Sequence, residues 1–328
     1  MANDFVPRRW LANGHMQTIA GNFQQRRINL PTPEERLFRV EADVQLLCRC
    51  HWQAQRKQRL TLLIVHGLEG SSQSGYVLGT AARAWARGWN IVRMNVRGCG
   101  GTEQLSATLY HSGLSQDVEK LVQELISTEG LERIALVGFS MGGNQVLRAM
   151  GRLGDSAPAQ LVAAATVSPA CDLGISSDRI HRPSNFVYEQ WFMASLRKSF
   201  RRKASLWKGR YDPSRLKGVY SVRTFDDRIT SRYMGFQNAD DYYDKSSSMH
   251  VLDKIARPTL VIHAADDPFV AISAESRRKL EENPQIAFLP TAHGGHCAFL
   301  ARPMNGDGDG RWAEAKIIEF LGKVEERR

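Results

Sequence analysis

The residues around Ser140 give this sequence its clearest sign of chemistry. They follow the G-x-S-x-G pattern and read Gly138-Phe139-Ser140-Met141-Gly142. A short apolar run precedes the pattern and a stretch of helical spacing follows it, so the serine lies on a predicted strand-to-helix turn. Such a turn is tight and strained, and glycines two positions before and after the serine leave room for it. The pattern predicts that Ser140 is a nucleophile.

A serine nucleophile needs a general base, and the base needs an acid that orients it. With this motif the chain order is serine, acid, histidine. A predicted strand at Thr259–His263 is followed by a short loop with two aspartates and a proline. The pattern of strand, loop, aspartate and proline favours Asp267 as the acid. Asp266 is the alternative, and a structural turn role for both aspartates also fits the residues.

The base is expected after the last strand, which is predicted at Ile286–Leu289. His296 follows the glycine pair Gly294-Gly295, whose conformational freedom lets the loop bring an imidazole ring over the serine. His293 is the rival, and its other interpretation is a loop histidine that binds the backbone. His296 is therefore the predicted general base.

The tetrahedral intermediate of acyl transfer needs two N–H donors for its oxyanion. The residue after the nucleophile, Met141, is expected to supply one backbone N–H. The other is expected from the loop after the first core strand, which reads His66-Gly67-Leu68-Glu69-Gly70. Leu68 N–H is the predicted donor, and His66 is interpreted as a structural residue under the loop.

The order of the elements predicts an α/β fold. From Leu60 onwards, short apolar runs alternate with stretches of helical spacing, which is typical of a mostly parallel, doubly wound sheet with helices on both faces. A hairpin at Phe38–Trp52 is expected to lead into it. Residues 173–247 are aromatic, basic and irregular, and they are predicted to form a helical lid insertion. Residues 1–35 are predicted to be the N-terminal arm of a single domain, 1–328.

Composition limits the partners and the compartment. The 328 residues carry a formal charge of +10, which permits contact with nucleic acid, membrane surfaces or anionic substrates. No nucleic-acid motif is recognisable, so nucleic acid is not an expected partner. The cysteines are odd in number, five, and lack CxxC spacing. No signal peptide or membrane-spanning apolar run is recognisable either, and the expected location is the cytoplasm.

Two loops could suggest a bound ion or cofactor, and neither is expected to hold one. Arg97-Gly98-Cys99-Gly100-Gly101 lacks the spacing of a phosphate-binding loop. Asn305–Gly310 resembles the start of a calcium loop, but Lys316 occupies the position that needs a bidentate glutamate. The sequence therefore predicts no metal and no cofactor.

Basic residues alternate with large apolar ones inside the predicted lid. One interpretation is an amphipathic element that makes transient contact with an anionic membrane surface or substrate. The other is a solvated basic face over an apolar lid core. The basic residues are Arg197, Lys198, Arg201, Arg202, Lys203, Lys208 and Arg210.

Several short motifs, spread over nearly the whole chain, together resemble one family. They are Gly14–Thr18, His66–Gly70, Arg97–Cys99, Tyr110–Gly113, the Ser140 motif with Asn144, Phe225–Asp227, Asp241–Tyr243, Asp266–Pro268 and His293–His296. With them the sequence resembles the YheT-type esterases of bacteria, which are related to the eukaryotic abhydrolase-domain proteins 1 and 3. One departure is Gly100-Gly101, where relatives often have Ser-Gly.

This resemblance implies the α/β-hydrolase fold and the hydrolysis of carboxylic esters through an acyl-enzyme intermediate. Carried over position by position, the catalytic residues are Ser140, Asp267 and His296. The expected substrate is a small-molecule acyl ester, lipids included. The alternative is a lipid- or partner-binding protein with the same fold and little catalytic turnover, which the basic lid suggests.

Overall fold

A single sheet organises the residues that the computed structural model describes, which are 4–24, 26, 28–302 and 309–327. Parts of the predicted N-terminal arm and most of the predicted turn at Asn305–Gly310 lie outside these residues. The strands are β1 (Glu34–Glu41), β2 (Val44–His51), β3 (Thr61–Val65), β4 (Asn90–Met94), β5 (Ile134–Phe139), β6 (Leu161–Val167), β7 (Thr259–Ala264) and β8 (Ile286–Thr291).

The strand order is β1-β2-β4-β3-β5-β6-β7-β8. β1 and β2 form an antiparallel hairpin that pairs antiparallel with β4. Every pairing from β4 to β8 is parallel. The prediction of a mostly parallel sheet with a lead-in hairpin is therefore confirmed.

The α-helices connect these strands and flank the sheet. They are α1 (Gly14–Phe23), α2 (Gly75–Ala86), α3 (Ser115–Ser127), α4 (Met141–Leu153), α5 (Leu173–Ile180), α6 (Phe186–Leu206), α7 (Val222–Phe225), α8 (Ser231–Met234), α9 (Ala239–Ser246), α10 (Ala274–Glu282) and α11 (Trp312–Glu326). One apolar cluster packs α2 and α11 against one face of the sheet, and another packs α3, α4 and α10 against the opposite face. The predicted doubly wound arrangement is confirmed.

The central strands are apolar almost throughout because helices cover both faces of the sheet. β3 reads Thr-Leu-Leu-Ile-Val and β6 reads Leu-Val-Ala-Ala-Ala-Thr-Val, and every residue of both strands is buried. β1 lies at an edge of the sheet, and its second half alternates buried with exposed residues. The pattern of apolar residues along each strand thus reflects whether the strand lies at the centre or at the edge of the sheet.

Residues 173–247, which we call the insertion, leave the sheet after β6 and precede β7. They contain α5 to α9 and include an apolar cluster of their own. Leu68 and Leu109 of the sheet domain pack against this cluster. Its buried members include Met193, Leu196, Phe200, Phe225 and Ile229.

No helix among the described residues combines the length and the apolar character needed to cross a bilayer.

A buried ion pair fixes the segment after β4. Arg97 Nε donates to Asp117 Oδ2, near the start of α3, at 2.8 Å. Each of these side chains is only 1% exposed. Burial alone would lower the pKa of Arg97, but the carboxylates of Asp117 and Glu41 outweigh burial and raise it. Burial raises the pKa of Asp117, and the contact with Arg97 opposes this effect. The Arg97 guanidinium therefore stays charged inside the protein.

Asp117→Ala should lower the free energy of unfolding by about 3 kcal/mol, because it leaves a guanidinium buried without its nearest counter-charge. Urea denaturation measures the change. The matched control on the same helix is Glu119→Ala, which removes the partner of the more exposed Arg152 and should cost about 1 kcal/mol or less. Equal losses in the two variants would contradict this assignment.

Candidate active site

The predicted nucleophile lies on a strained turn between β5 and α4. Ser140 has φ 53° and ψ −119°, a conformation that residues with a side chain rarely adopt. A Cβ on Gly138 would lie 2.4 Å from Gly142 O, and a Cβ on Gly142 would lie 2.4 Å from His66 O. The turn can therefore form only with glycine at both positions.

A continuous hydrogen-bond chain links three of the predicted residues. His296 Nε2 lies 2.9 Å from Ser140 Oγ, and His296 Nδ1 lies 2.8 Å from Asp267 Oδ2. The buried Asp267 carboxylate also accepts the backbone N–H groups of Phe269 and Val270. A carboxylate at Nδ1 favours the tautomer with its proton there, so Nε2 can accept the hydroxyl proton of Ser140.

The two alternative residues lie beside this chain without joining it. Asp266 Oδ1 accepts the backbone N–H of Gly295 at 2.9 Å, and Asp266 Oδ2 lies 3.3 Å from His293 Nδ1. These contacts hold the loop that carries His296. The structure thus brings Asp267, and not Asp266, to the imidazole.

Asp267 and His296 shift each other's pKa in opposite directions. Burial disfavours the charged imidazole, but the adjacent carboxylate outweighs burial and raises the pKa of His296. Burial is the largest single effect on Asp267 and disfavours its carboxylate, but attraction to the neighbouring imidazoles and the hydrogen bonds that it accepts together outweigh burial and lower the pKa of Asp267. His296 is therefore a stronger base than a free imidazole, and Asp267 stays ionised.

The loop after β3 passes directly beside Ser140. A Cβ on Gly67 would lie 3.1 Å from Ser140 Cβ. Burial lowers the pKa of His66 to about 4, so its neutral ring donates through Nδ1 to Gly67 O at 2.8 Å and accepts the Val96 N–H through Nε2 at 3.0 Å. Because a peptide group is planar, the bond to Gly67 O also fixes the direction of the Leu68 N–H.

Both predicted oxyanion donors lie at the same cavity as the nucleophile. Leu68 and Met141 line it together with Ser140 and His296. Met141 is the first residue of α4, where backbone N–H groups have no partner inside the helix. The structure therefore places these two residues where a charge that develops beside Ser140 could be stabilised.

Glu69, to which the sequence pattern assigned no role, connects this loop to the insertion. Its carboxylate accepts hydroxyl groups from Tyr110 at 2.5 Å and from Ser195 and Ser199 at 2.6 Å each. The two serines lie one turn apart on α6. We call these three bonds the Glu69 latch. Since Leu68 directly precedes Glu69, the latch ties the predicted oxyanion loop to the longest helix of the insertion.

The N-terminal helix α1 supports the loop of His296. Thr18 Oγ1 accepts the His296 N–H at 2.9 Å. Gln17 donates to Leu300 O and accepts the Leu300 N–H through the same side chain. Because 278 residues separate Thr18 from His296, no spacing in the sequence signals this contact.

A cavity of about 150 Å³ lies between Ser140 and the insertion. Most of the surface that faces the cavity is apolar, although polar and charged residues also line it, among them Glu69, Arg97, Glu103, His111, Lys203 and Asp226. Such a cavity suits an apolar chain next to a reacting group. The apolar lining includes Leu109, Leu173, Ile180, Phe192, Leu196, Phe200, Phe225, Phe269 and Val270.

Metal ligands and thiols were also candidates for chemistry. Within the described part of the chain, no group of three or more His, Cys, Asp or Glu side chains is arranged to hold a metal ion. All five cysteines are free thiols, and four of them are buried. Burial raises the pKa of Cys171 to about 12, so this thiol is a poor nucleophile at neutral pH.

Comparison with known families agrees with the fold. The family described as the alpha/beta hydrolase fold matches residues 61–303. The chain belongs to the α/β-hydrolase family.

Its relatives include proteins named as esterases and phospholipases. The chain is 32% identical over 320 residues to the esterase YheT of Escherichia coli (strain K12), which covers 97% of this chain and 93% of that protein. It is 30% identical over 243 residues to the phospholipase ABHD3 of Mus musculus, which covers 74% of this chain and 59% of that protein. The resemblance to YheT-type esterases is therefore confirmed.

Solved structures show the same fold at low sequence identity. The Pyrococcus furiosus esterase Pf2001 superposes with a TM-score of 0.59 and 16% identity, over 91% of this chain and 98% of that chain. At this identity the similarity supports the fold alone.

The Glu69 latch predicts the behaviour of α6. Ser195→Ala combined with Ser199→Ala removes two hydrogen bonds to a charged group, each of which contributes about 1.5 kcal/mol or more. Amide hydrogen exchange across Phe186–Leu206 should therefore accelerate by about tenfold or more. Mass spectrometry of the exchanged peptides measures this.

The matched control for the latch is Ser205→Ala on the same helix. Ser205 Oγ donates to Arg202 O and does not contact Glu69. Its replacement should leave exchange across α6 nearly unchanged. Exchange in the double variant at the rate of this control would show that the latch does not hold the helix.

Proposed function

We propose that the protein hydrolyses carboxylic esters, with Ser140 as nucleophile, His296 as general base and Asp267 as the acid that orients the imidazole. The observation that supports this most directly is the hydrogen-bond chain that joins the three side chains, with distances of 2.8 and 2.9 Å. A chain of this kind activates a hydroxyl group that is otherwise a weak nucleophile.

In the first half of the proposed reaction, the Ser140 hydroxyl attacks the acyl carbon while His296 Nε2 accepts its proton. The carbonyl oxygen becomes an oxyanion, and the backbone N–H groups of Leu68 and Met141 stabilise it. His296 then donates the proton to the departing alcohol oxygen. The acyl group remains bound to Ser140 as an ester.

In the second half, water replaces the alcohol. His296 accepts a proton from the water as its oxygen attacks the acyl carbon, and the same two N–H groups stabilise the second oxyanion. The proton returns to Ser140 Oγ as the carboxylic acid leaves. Asp267 stays ionised throughout and stabilises the transient imidazolium. The scheme uses side chains, backbone and water alone.

We propose an ester with an apolar acyl group as the substrate, lipids included. The largely apolar wall of the cavity beside Ser140 supports this. The names of the relatives point in the same direction, since one carries the name of an esterase and another that of a phospholipase. In this proposal the insertion acts as a lid, because residues of α5, α6, α7 and α9 form much of the cavity wall.

The cytoplasm is the compartment that we propose for the protein. The five free thiols support this, because thiols persist in a reducing compartment.

Ser140→Ala should reduce the turnover of p-nitrophenyl acyl esters by at least about ten-thousandfold, because it removes the hydroxyl group that lies beside His296 Nε2. A panel of esters with increasing acyl length measures turnover. Circular dichroism checks that the fold is retained. A fluorophosphonate probe should label Ser140 in the wild-type protein and no serine in this variant.

The control is Ser205→Ala, which should keep both turnover and labelling because Ser205 is exposed on the outside of α6. Turnover of Ser140→Ala near the wild-type level would contradict the proposal. A wild-type protein that binds acyl esters or lipids without hydrolysis or labelling would instead support the lipid- or partner-binding alternative.

The pH profile of kcat/KM should follow the ionisation of His296. Because the pKa of His296 is raised, hydrolysis should fall as the pH decreases through a midpoint above the ordinary value of 6.5. Asp267→Asn removes the charge that raises this pKa, so the midpoint should move to lower pH. The rate should also fall by about ten-thousandfold, because the imidazole tautomer is no longer fixed.

The neighbouring substitution Asp266→Asn is the control for the pH profile. Asp266 contacts Gly295 and His293 but not His296, so the pH midpoint of the Asp266→Asn variant should stay near that of the wild type. An Asp267→Asn profile with the wild-type midpoint would disprove the assignment of Asp267.

A further inference from the structure

In the helix α1 the polar face is buried and an apolar stripe is exposed, which is the reverse of the usual arrangement in a helix at the surface of a protein. Its buried positions are Gly14, Gln17 and Thr18. Gln17 and Thr18 form hydrogen bonds with the backbone of Leu300 and His296. The helix contains no acidic residue. Its exposed apolar stripe, with one residue on each successive turn, is Met16, Ile19 and Phe23.

The lid helix α6 exposes a face that changes character along its length. The first half of this face is apolar, and Val187 and Trp191 on it are 77% and 57% exposed. The second half is basic, with Lys198 and Arg201 exposed. The helix has one acidic residue, Glu189, and this side chain is buried. The exposed face of α6 therefore combines apolar and cationic groups without an anion.

These two helices lie side by side. The rings of His15 on α1 and Tyr188 on α6 are stacked, with centroids 5.7 Å apart. Tyr188 Oη also donates to the backbone carbonyl of His15 at 3.4 Å. The exposed stripe of α1 and the apolar half of α6 thus form one surface, which we call the α1–α6 surface.

This surface adjoins the candidate active site. A run of aromatic contacts leads inwards from exposed Trp191 to Phe192, from Phe192 to Phe269, and from Phe269 to His296, with centroid distances of 5.2, 6.0 and 4.4 Å. Phe192 and Phe269 line the cavity that contains Ser140. An apolar molecule that leaves a bilayer at this surface would therefore be next to the cavity wall.

We propose that the α1–α6 surface docks the protein on an anionic lipid bilayer, with the apolar residues of both helices in the acyl boundary and the basic half of α6 on the lipid phosphates. Exposed apolar stripes next to lysine and arginine are the features with which helices bind a bilayer in its plane. Contact at the surface, without a spanning segment, accounts for apolar side chains that face outwards from an otherwise ordinary fold.

The distribution of charge favours lipid over a second copy of the chain. In a two-fold symmetric dimer the same patch would face itself, and Lys198 and Arg201 would meet no counter-charge from either helix, because α1 has no acidic residue and the one acidic residue of α6 is buried. Like charges at such an interface repel. Anionic headgroups would neutralise the same cations. The surface therefore matches a negatively charged partner with an apolar interior.

Sedimentation with vesicles tests this inference, using the full chain with Ser140→Ala so that hydrolysis does not alter the lipids. Vesicles of equal parts phosphatidylcholine and phosphatidylglycerol should bind the protein more tightly than vesicles of phosphatidylcholine alone, and added salt should weaken the binding. Phe23→Ser combined with Trp191→Ser should lower the affinity by about tenfold or more. Lys198→Gln combined with Arg201→Gln should lower it by a similar factor.

Each set has a matched control elsewhere on the molecule. Leu37→Ser removes a residue that is 51% exposed on β1, at the far edge of the sheet, and should not change vesicle binding. Arg277→Gln with Arg278→Gln on α10 removes the same net charge from side chains that are more than half exposed, and it should also bind as the parent does.

If the control variants lost as much affinity for vesicles as the α1–α6 variants, the inference would be overturned, because the losses would reflect net charge or general hydrophobicity. Unchanged binding in the α1–α6 variants would overturn it as well. So would analytical ultracentrifugation that shows a dimer dispersed by Phe23→Ser, since a second copy would then cover the surface. The binding assay is independent of turnover, so its failure leaves the hydrolytic proposal to be decided by Ser140→Ala in the ester assay.

Discussion

The close approach of three backbone segments around Ser140 is the constraint on which the site depends. Gly138 and Gly142 have no side chains to collide with α4 or with the end of β3, so the turn is pressed directly against the sheet. This contact holds Ser140 at a positive φ that would otherwise be unfavourable. The hydroxyl group therefore has a fixed position before any ligand arrives, and the loops around it have to reach that position.

The parallel sheet explains how they reach it. β3, β5, β7 and β8 run in the same direction, so the loops after their carboxyl ends meet at one edge. In chain order these loops carry the predicted oxyanion donor, the nucleophile, the acid and the base. Hydrogen bonds that the glycine-rich loop donates to the side chains of Asp266 and Thr18 then hold the loop of the predicted base in place. The site is assembled from short segments, each fixed by a strand that ends beside it.

What could be predicted from the sequence is what depends on neighbouring residues. The strands predicted at Thr259–His263 and Ile286–Leu289 are present as β7 and β8, but they continue one and two residues further, because their parallel pairing extends to Ala264 and Thr291. The contacts of Glu69 and Thr18 could not be predicted, since they join segments more than a hundred residues apart or depend on how the insertion folds back. The catalytic roles themselves remain predictions, which the hydrogen-bond geometry supports.

The Glu69 latch limits how freely this architecture can vary. An insertion between β6 and β7 could be exchanged freely only if it made no contact with the loops that carry the site. Here the insertion supplies two of the three hydroxyl groups around a carboxylate that adjoins the predicted oxyanion loop. A transplanted insertion without hydroxyl donors one helical turn apart would leave the Glu69 carboxylate with one of its three hydroxyl donors. Exchanging specificity between relatives would therefore require position 69 and the new helix to be changed together.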